Sequence, residues 1–304
     1  MRKCLRIATR NSALALWQAN SIKSQLLQHY PELMIELIPM TTLGDQIIDR
    51  SLSKVGGKGL FVKELENALF NGEADIAVHS MKDVPMHLPE GLAITAMTRR
   101  ASPEDAFVSL KFNTLSDMPA GARVGTSSAR RKIILQREHP HLQAVDVRGN
   151  VQTRLKKGEQ GEVDALILAA AGLERLDLFD KYCHHLPLET WLPAPGQGAI
   201  GVEVRCDDHE TIAYLQAIND QDTWDIVTAE RVLSRRLNGG CGVPLAAYAL
   251  LQEDEIWLRA WVASIDNQHF EVAEARANRT QAEALGETVA NSLLMRGAKE
   301  WMSL

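Results

Sequence analysis

The first third of the chain alternates between strand-like and helix-like patterns of apolar residues. Residues 5–8 are typical of a short strand, and the apolar spacing after them predicts a helix over Ala13–His29 with Ser12 as its N-cap. Residues 34–39 predict a second strand, and after another helical stretch residues 75–78 have the continuous apolar character of a buried strand. This β–α–β alternation predicts a sheet with helices on its faces.

A similar alternation returns after about residue 105. Residues 123–126 predict a strand, and Ser127 or Ser128 is expected to cap the helix that follows. Two short stretches of the first segment recur in the second, which predicts two similarly built α/β lobes. The matching pairs are Arg6-Ile7-Ala8-Thr9 with Arg123-Val124-Gly125-Thr126, and Gly72-Glu73-Ala74-Asp75 with Gly161-Glu162-Val163-Asp164.

The last third has a different pattern. A strand over 199–204 follows the Pro- and Gly-rich stretch 193–198, as expected if the chain crosses back to the first lobe. A helix from about Asp222 ends at Asn238-Gly239-Gly240, and alternating strands then lead to a last helix, which predicts a small α+β domain. The expected domains are 1–99 with 200–217 (lobe 1), 105–193 (lobe 2) and 222–304 (C-terminal domain).

Composition excludes several classes of protein. The 304 residues are 45% hydrophobic and 24% charged, as in globular enzymes, and no run reaches the roughly 20 apolar residues that span a bilayer. The net charge of −6 argues against nucleic acid as a partner. No secretory signal follows Met1, so we expect a cytoplasmic location in which the four cysteines are free thiols. Their spacing predicts no metal site.

Asp83 is the first candidate for chemistry. It lies in the segment His79-Ser80-Met81-Lys82-Asp83-Val84-Pro85, which begins where the strand over 75–78 ends. Ligands of open α/β sheets bind beyond the carboxyl ends of strands. The alternative is that Asp83 is an ordinary turn residue.

Basic residues at the predicted strand and helix ends form the second candidate group. Arg130 and Arg131 fall in the first turn of a helix, where positive charge opposes the macrodipole, and this placement predicts a bound anion. Arginine suits planar, bidentate recognition of carboxylates or phosphates. The basic positions are Arg10, Lys54, Lys58, Arg130, Arg131, Lys132, Arg148, Arg154 and Arg175, with Ser12, Thr126, Ser127 and Ser128 as neutral donors.

Two loops complete the set of candidates. The stretch 56–59 lacks P-loop spacing, so a loop that shields a cleft between the lobes is the better hypothesis than a nucleotide site. Cys241 follows two glycines and precedes Gly242, which predicts an exposed thiol able to act as a nucleophile or a covalent attachment point. No nearby histidine supports a Cys-His hydrolase.

These segments resemble the porphobilinogen deaminase family along nearly the whole chain. The motifs that carry the resemblance are residues 6–10 with Ser12, 55–61, 77–85, 124–128 with Arg130-Arg131, 148–150 with Thr153-Arg154, 195–198 and Gly239-Gly240-Cys241. The resemblance implies two lobes similar to periplasmic binding proteins around a central cleft, with a small α+β domain after them.

The resemblance also implies an activity, in which four porphobilinogen molecules are joined with loss of ammonia on a dipyrromethane cofactor and the linear product is released by water. Cys241 would hold the cofactor by a thioether. Asp83 would be the catalytic carboxylate, because a fixed anion stabilises the cation left when the substrate's aminomethyl group loses ammonia.

The remaining implied roles concern binding. The resemblance assigns to the cofactor Ser80, Lys82, Thr126, Ser128, Arg130, Arg131, Arg148 and Gly149. It assigns to the substrate Arg10, Ser12, Arg148, Arg154 and Arg175, and to the loop over the cleft Lys54, Lys58 and Phe61. Each porphobilinogen carries two carboxylates, so the accumulating negative charge explains many arginines on an acidic protein. We expect a monomer.

Two alternatives remain at the level of sequence. An anion-binding or effector-sensing protein without catalysis would also have two α/β lobes and an arginine-lined cleft. A thiol-dependent acyltransferase would carry acyl adducts on Cys241.

Overall fold

The computed structural model describes residues 3–46, 59–239 and 243–302. Contacts divide the chain into two compact units, Met1–Ala101 with Ala199–Asp225, and Ser102–Gly198 with Ile226–Leu304. Among the described residues, no helix combines the length and the apolar character that crossing a membrane requires.

The first unit contains a five-stranded sheet in the order β2-β1-β3-β10-β4. Its strands are β1 (Cys4–Arg10), β2 (Met34–Met40), β3 (Ile76–Ser80), β4 (Leu92–Met97) and β10 (Ile200–Arg205). Its helices are α1 (Ala13–His29), the four-residue α2 (Leu43–Gln46), α3 (Lys63–Phe70) and α7 (His209–Gln216). Strands β1, β2 and β3 are parallel, and β10 runs antiparallel to β3 and β4.

The two faces of this sheet are covered by different helices. The α1 residues Ala19, Ile22 and Leu26 are fully buried in the core on one face, whereas Leu65 and Leu69 of α3 are buried on the other. Helix α1 has the bounds predicted from its apolar spacing, and Ser12 Oγ accepts a hydrogen bond from the Ala15 backbone N–H.

The second unit contains a sheet of five strands in the order β7-β6-β8-β5-β9. Its strands are β5 (Asp105–Val108), β6 (Arg123–Gly125), β7 (Gln143–Val145), β8 (Ala165–Ala169) and β9 (Cys183–His185). Its helices are α4 (Ala129–Glu138), α5 (Val151–Glu159) and α6 (Ala170–Glu174). Strand β6 is parallel to β7 and β8, and β5 is antiparallel to β8 and β9.

The second unit also holds a three-stranded antiparallel sheet. Its strands are β11 (Leu245–Gln252), β12 (Glu255–Ala263) and β13 (Phe270–Asn278), and the nearby helices are α8 (Gln221–Arg236), α9 (Ala282–Leu293) and the short α10 (Lys299–Met302). One face packs on Leu233 of α8 and Leu285 of α9, while Tyr248 and Trp261 join the core of the five-stranded sheet.

The structure confirms the internal repeat. In the first lobe, Asp75 accepts a hydrogen bond from the Arg6 backbone N–H at 2.8 Å, and in the second Asp164 accepts one from that of Arg123 at 2.9 Å. The backbone N–H of each aspartate donates back to the carbonyl of its arginine. The two sheets also share their order: in each, the second strand is parallel to both of its neighbours, and the third strand pairs with an antiparallel fourth strand.

The predicted α/β class with a small α+β element is confirmed by these three sheets, while the three-domain boundaries stay a prediction. The residue that ends helix α8 in the left-handed conformation is Asn238, with φ of 52°, rather than a glycine. The Gly239 N–H then bonds the Ser234 carbonyl at 2.7 Å, and a Cβ on Gly239 would lie 2.9 Å from that oxygen.

The repeat supports a paired stability test. The Asp75 side chain is 3% exposed and also binds the Arg6 guanidinium, whereas the Asp164 side chain is 22% exposed. We expect Asp75→Asn to lower the free energy of unfolding by about 2 kcal/mol or more, and Asp164→Asn by less than about 1 kcal/mol. Chemical denaturation of both variants measures the difference, and equal losses would contradict the role given to burial.

Candidate functional site

Candidate residues of the first unit meet at the carboxyl edge of its sheet. Strands β1 and β3 are parallel neighbours, so their carboxyl ends lie at the same edge. Arg10 ends β1, and Ser80 ends β3 and is followed by a 3₁₀ turn over Met81–Asp83. The edge therefore carries Arg10, Ser12, Ser80, Lys82 and Asp83, the whole set predicted for this lobe apart from the loop residues.

Asp83 is a half-buried carboxylate that accepts no hydrogen bond and forms no ion pair within the part of the chain that the structure describes. The turn that carries Asp83 is held in place by contacts of Met81 and Ser80, the residues at its start. The Met81 side chain is fully buried and its backbone N–H donates to the Ala199 carbonyl at 3.0 Å, while Ser80 Oγ accepts from Gln18 Nε2 at 2.7 Å. An anchored turn thus carries a carboxylate that has no partner among the described residues.

Arg10 has partners of its own. Its guanidinium binds both carboxylate oxygens of Asp45 and lies over the Phe61 ring, 4.2 Å from the centroid. Burial opposes ionisation of Asp45, but hydrogen bonds from Arg10 and Thr42 outweigh it and lower the pKa of that carboxyl. The predicted substrate role of Arg10 stays a prediction, and a ligand would meet this cation beside an existing carboxylate.

The second unit repeats the arrangement at the carboxyl edge of its own sheet. Parallel strands β7, β6 and β8 end there, and each is followed by candidate residues. The edge carries Thr126, Ser128, Arg130 and Arg131 after β6, Arg148, Gly149 and Arg154 after β7, and Arg175 at the end of the helix that follows β8.

The hydroxyl groups after β6 have local partners. Ser128 is the N-cap of α4 and accepts from the Arg131 backbone N–H at 3.4 Å, which confirms one of the two predicted caps. Ser127 Oγ donates to the Val147 carbonyl at 2.7 Å, and buried Thr126 accepts from the Ser128 N–H at 3.3 Å. These bonds order the loop between β6 and α4.

Arg130 and Arg131 bind a buried carboxylate of the protein itself. Asp105, the first residue of β5, is 0% exposed, and its Oδ1 accepts from Arg131 Nη2 at 2.7 Å and from Arg130 Nη2 at 3.1 Å. Gln197 Nε2 donates to the same oxygen at 2.9 Å. Burial opposes ionisation of Asp105, yet the two guanidiniums outweigh it and hold the pKa of that carboxyl far below its usual range.

This finding corrects one step of the sequence argument. The placement of Arg130 and Arg131 in the first turn of α4 predicts a bound anion, and Asp105 supplies an anion from within the protein. Their role at the cofactor stays a prediction. The Nε atoms of both arginines are buried and have no hydrogen-bond partner among the described residues.

Arg148, Gly149 and Arg154 surround the start of α5. Gly149 has a φ of 112°, and a Cβ there would lie 2.6 Å from the Thr153 side chain, so the turn requires glycine. Arg154 Nε donates to the Gly149 carbonyl at 2.8 Å. Arg148 precedes this turn and is half-buried. The turn therefore holds two guanidiniums near one edge of the sheet.

Arg175 has an unusual environment for an arginine. Its Nη2 donates to the Gly198 carbonyl at 2.7 Å, and burial lowers the pKa of Arg175 to about 10 against the opposing effect of Glu174. Partial burial of a cation favours a bound anion because the ligand replaces lost solvation.

Lys54, Lys58 and Cys241 lie outside the described residues. In sequence, Cys241 falls between α8, which ends at Arg236, and β11, which begins at Leu245. Among the described residues, no group of three His, Cys, Asp or Glu side chains is arranged to hold a metal ion.

Sequence reasoning missed the partners that hold these side chains. Asp105 is separated from Arg130 by 25 residues and lies in a short strand that the apolar pattern did not reveal. Gln197 lies in the Pro- and Gly-rich stretch 193–198, whose composition predicts a chain crossing and gives no role to the Gln197 side chain. A polar residue inside a Pro- and Gly-rich stretch is a usable signal, because such a side chain often bonds backbone groups.

Two family models match the chain. The model described as "Porphobilinogen deaminase, dipyromethane cofactor binding domain" matches residues 5–213, and "Porphobilinogen deaminase, C-terminal domain" matches residues 224–295. Together the two matches cover residues 5–213 and 224–295, which is most of both compact units.

Solved structures with detectable similarity include the periplasmic VFT2 domain of BvgS from Bordetella pertussis, at 17% identity and a TM-score of 0.44, with 71% of this chain and 87% of that chain covered. The aliphatic sulphonate binding protein SsuA from Escherichia coli matches at 16% identity and a TM-score of 0.42, covering 78% and 76%. A putative methionine-binding lipoprotein from Bacillus subtilis matches at 13% identity and a TM-score of 0.45, with 73% of this chain and 93% of that chain covered.

The buried carboxylate of Asp105 generates a stability prediction. Asp105→Asn leaves two buried guanidiniums without an anion, and we expect it to lower the free energy of unfolding at neutral pH by about 3–5 kcal/mol. Because the folded-state pKa of Asp105 is depressed, its contribution is complete above an unfolded pKa of about 4 and is lost as pH falls toward the folded value.

Denaturation of the wild type and Asp105→Asn at several pH values tests this account. The stability difference between them should be constant near neutrality and should shrink below about pH 4. A difference that does not change with pH would show that the carboxylate is not the source of the effect.

Proposed function

Because the chain belongs to the porphobilinogen deaminase family, we propose that it joins porphobilinogen molecules head to tail on a dipyrromethane primer held by Cys241 and releases a linear tetrapyrrole. Membership of this family makes the chain a transferase. The observation that carries the detailed proposal is the carboxylate of Asp83, half-buried, without a described partner, on a turn anchored at the carboxyl edge of the first sheet.

The proposed chemistry requires an anion that is fixed and available. Porphobilinogen loses ammonia from its aminomethyl group and leaves a cation whose charge is shared with the pyrrole nitrogen. The Asp83 carboxylate stabilises this charge and holds the pyrrole N–H. The new carbon–carbon bond then forms, and the ring carbon that gained it loses a proton, for which Asp83 is the proposed acceptor.

The donor set fits a dipyrromethane. That group bears several carboxylates, and when bound it supplies the pyrrole carbon that attacks. Half-buried Arg148 and Lys82 are the proposed charged partners for its carboxylates, and the positive charge of Arg130 and Arg131, buried against Asp105, is proposed to favour the same ligand. We propose Ser80, Thr126, Ser128 and Gly149 as neutral or backbone contacts of the cofactor.

Substrate carboxylates need a second set of cations as the chain grows. We propose Arg10, Ser12, Arg148, Arg154 and Arg175 for this role. Arg175 suits it because its partial burial lowers the solvation of its charge, so a bound carboxylate restores lost stabilisation. The proposed cover over the substrate consists of Lys54, Lys58 and Phe61. A cytoplasmic location and a monomeric state complete the proposal.

The role of Asp83 is tested by Asp83→Asn with Glu90→Gln as the control. Both substitutions remove one negative charge, and Glu90 is exposed seven residues further along the chain. We expect Asp83→Asn to keep the fold and lower the rate of porphobilinogen consumption by roughly 10²–10⁴-fold, and Glu90→Gln to have no effect. Near-normal turnover by Asp83→Asn would refute the proposed role.

The role of Arg148 is tested through the products that stay on the protein. Arg148→Ala removes a guanidinium beside the proposed cofactor, so elongation is expected to stop early and short enzyme-bound chains to accumulate. Lys156→Ala removes an exposed charge from α5 and serves as the matched control. Mass spectrometry of the protein after brief exposure to substrate gives the distribution, which should differ from that of wild type in Arg148→Ala alone.

A further inference from the structure

A buried ionisable pair lies directly behind the Asp83 turn. Nε2 of His79 on β3 is 2.8 Å from Oε2 of Glu203 on β10, and the two side chains are 4% and 1% exposed. The other oxygen of Glu203, Oε1, is buried and accepts no hydrogen bond from the part of the chain that the structure describes. Neither residue belongs to the binding set proposed above.

A third ionisable group shares this space. Glu66 of α3 is buried, and burial together with the charge of Glu203 raises its pKa, against the opposing effects of His79 and Lys63. Two carboxylates next to a single imidazole are costly to bury, and such a cluster contributes little net stability compared with apolar side chains of similar volume. The presence of the His79–Glu203 pair on the strands that carry and contact the Asp83 turn therefore points to a role other than stability.

Sheet register places the pair on the same face as the base of the turn. Gly201 lies opposite His79, so Glu203, two residues along β10, points to the same face as Gly201. A Cβ on Gly201 would lie 2.1 Å from Sδ of Met81, the first residue of the turn. Strand β10 thus contacts the Asp83 segment at two points. The backbone of Gly201 packs against Met81, and Glu203 forms a directional bond with His79.

The opposite face of β3 is held separately, by the Ser80 to Gln18 hydrogen bond described above. Packing at Met81 and Gly201 limits the space open to the turn but is not directional. The His79–Glu203 bond supplies a direction, because it adds a side-chain link between β3 and the paired strand β10 four residues before the carboxylate.

We propose that His79 and Glu203 are positioning residues that set the location of the Asp83 carboxylate for turnover. The proposal rests on the proposed function of Asp83. It assigns the pair no contact with substrate, so loss of the bond should lower kcat while leaving KM for porphobilinogen nearly unchanged. Displacement of a catalytic group by about 1 Å costs as much as a hundredfold in rate.

The test compares three variants of the full-length, cofactor-loaded protein. Glu203→Met removes the bond and the charge, and Glu203→Gln keeps an acceptor for His79 but no charge. Glu66→Met is the matched control, because it makes the same chemical change in the same buried space on a different element. We expect about a tenfold or larger loss of kcat in Glu203→Met, with at least partial recovery in Glu203→Gln. KM should change by less than about twofold in each, and Glu66→Met should keep the wild-type kcat.

A double variant guards against loss of folding. His79→Phe with Glu203→Met replaces the pair by apolar side chains of similar volume and should fold at least as well as either single variant. A stable double variant with reduced kcat supports the proposal, and one with wild-type kcat overturns it. An equal loss of kcat in Glu66→Met also overturns it. Failure of the wild type to make a linear tetrapyrrole would instead refute the proposed function, so the two failures are distinguishable.

Discussion

The buried carboxylate of Asp105 is the interaction on which the second compact unit depends. Removal of this group from water is costly, and the cost is offset because Arg130, Arg131 and Gln197 all donate to Oδ1. Strand β5 is thereby joined to the first turn of α4 and to the segment before β10. The neighbouring Gly196 N–H donates to buried Glu230 at 2.7 Å.

Glu230 extends the same network to the small sheet. Its second oxygen accepts the Ala249 N–H of β11 at 2.8 Å, so α8, β11 and the 193–198 stretch are joined by one side chain. Helix α8 and strand β11 flank the segment that contains Cys241. A continuous series of buried hydrogen bonds thus connects both sides of the proposed attachment segment with the arginines proposed to bind the cofactor.

Sequence patterns predicted the elements whose causes are local. Helix α1 has its predicted bounds because apolar spacing and the Ser12 cap both act within a few residues. The Asp75 and Asp164 repeat was also visible, since the same short stretches build the same bond. Partnerships between distant residues were not predictable. Nothing near Arg130 indicates Asp105, because the packing of α4 against the sheet decides that contact, and nothing near His79 indicates Glu203, because sheet register decides it.

Asp83 stands apart from the other acidic groups of the site region. Asp75, Asp105 and Glu203 each accept hydrogen bonds from side chains or backbone, whereas Asp83, within the described residues, has no such partner. A half-buried carboxylate on a well-anchored turn, with no partner among the described residues, is open to a ligand, as the role proposed for Asp83 requires. The other bonds at this edge of the sheet keep the turn in place.

The most direct test of the account is the mass of the Cys241 peptide in freshly purified protein. Intact mass measurement after denaturation, followed by peptide mapping, is expected to give an added mass equal to two pyrrole units on that peptide. A Cys241 that is unmodified, and that stays unmodified after incubation with porphobilinogen, would contradict the proposed primer and favour an anion-binding protein without catalysis.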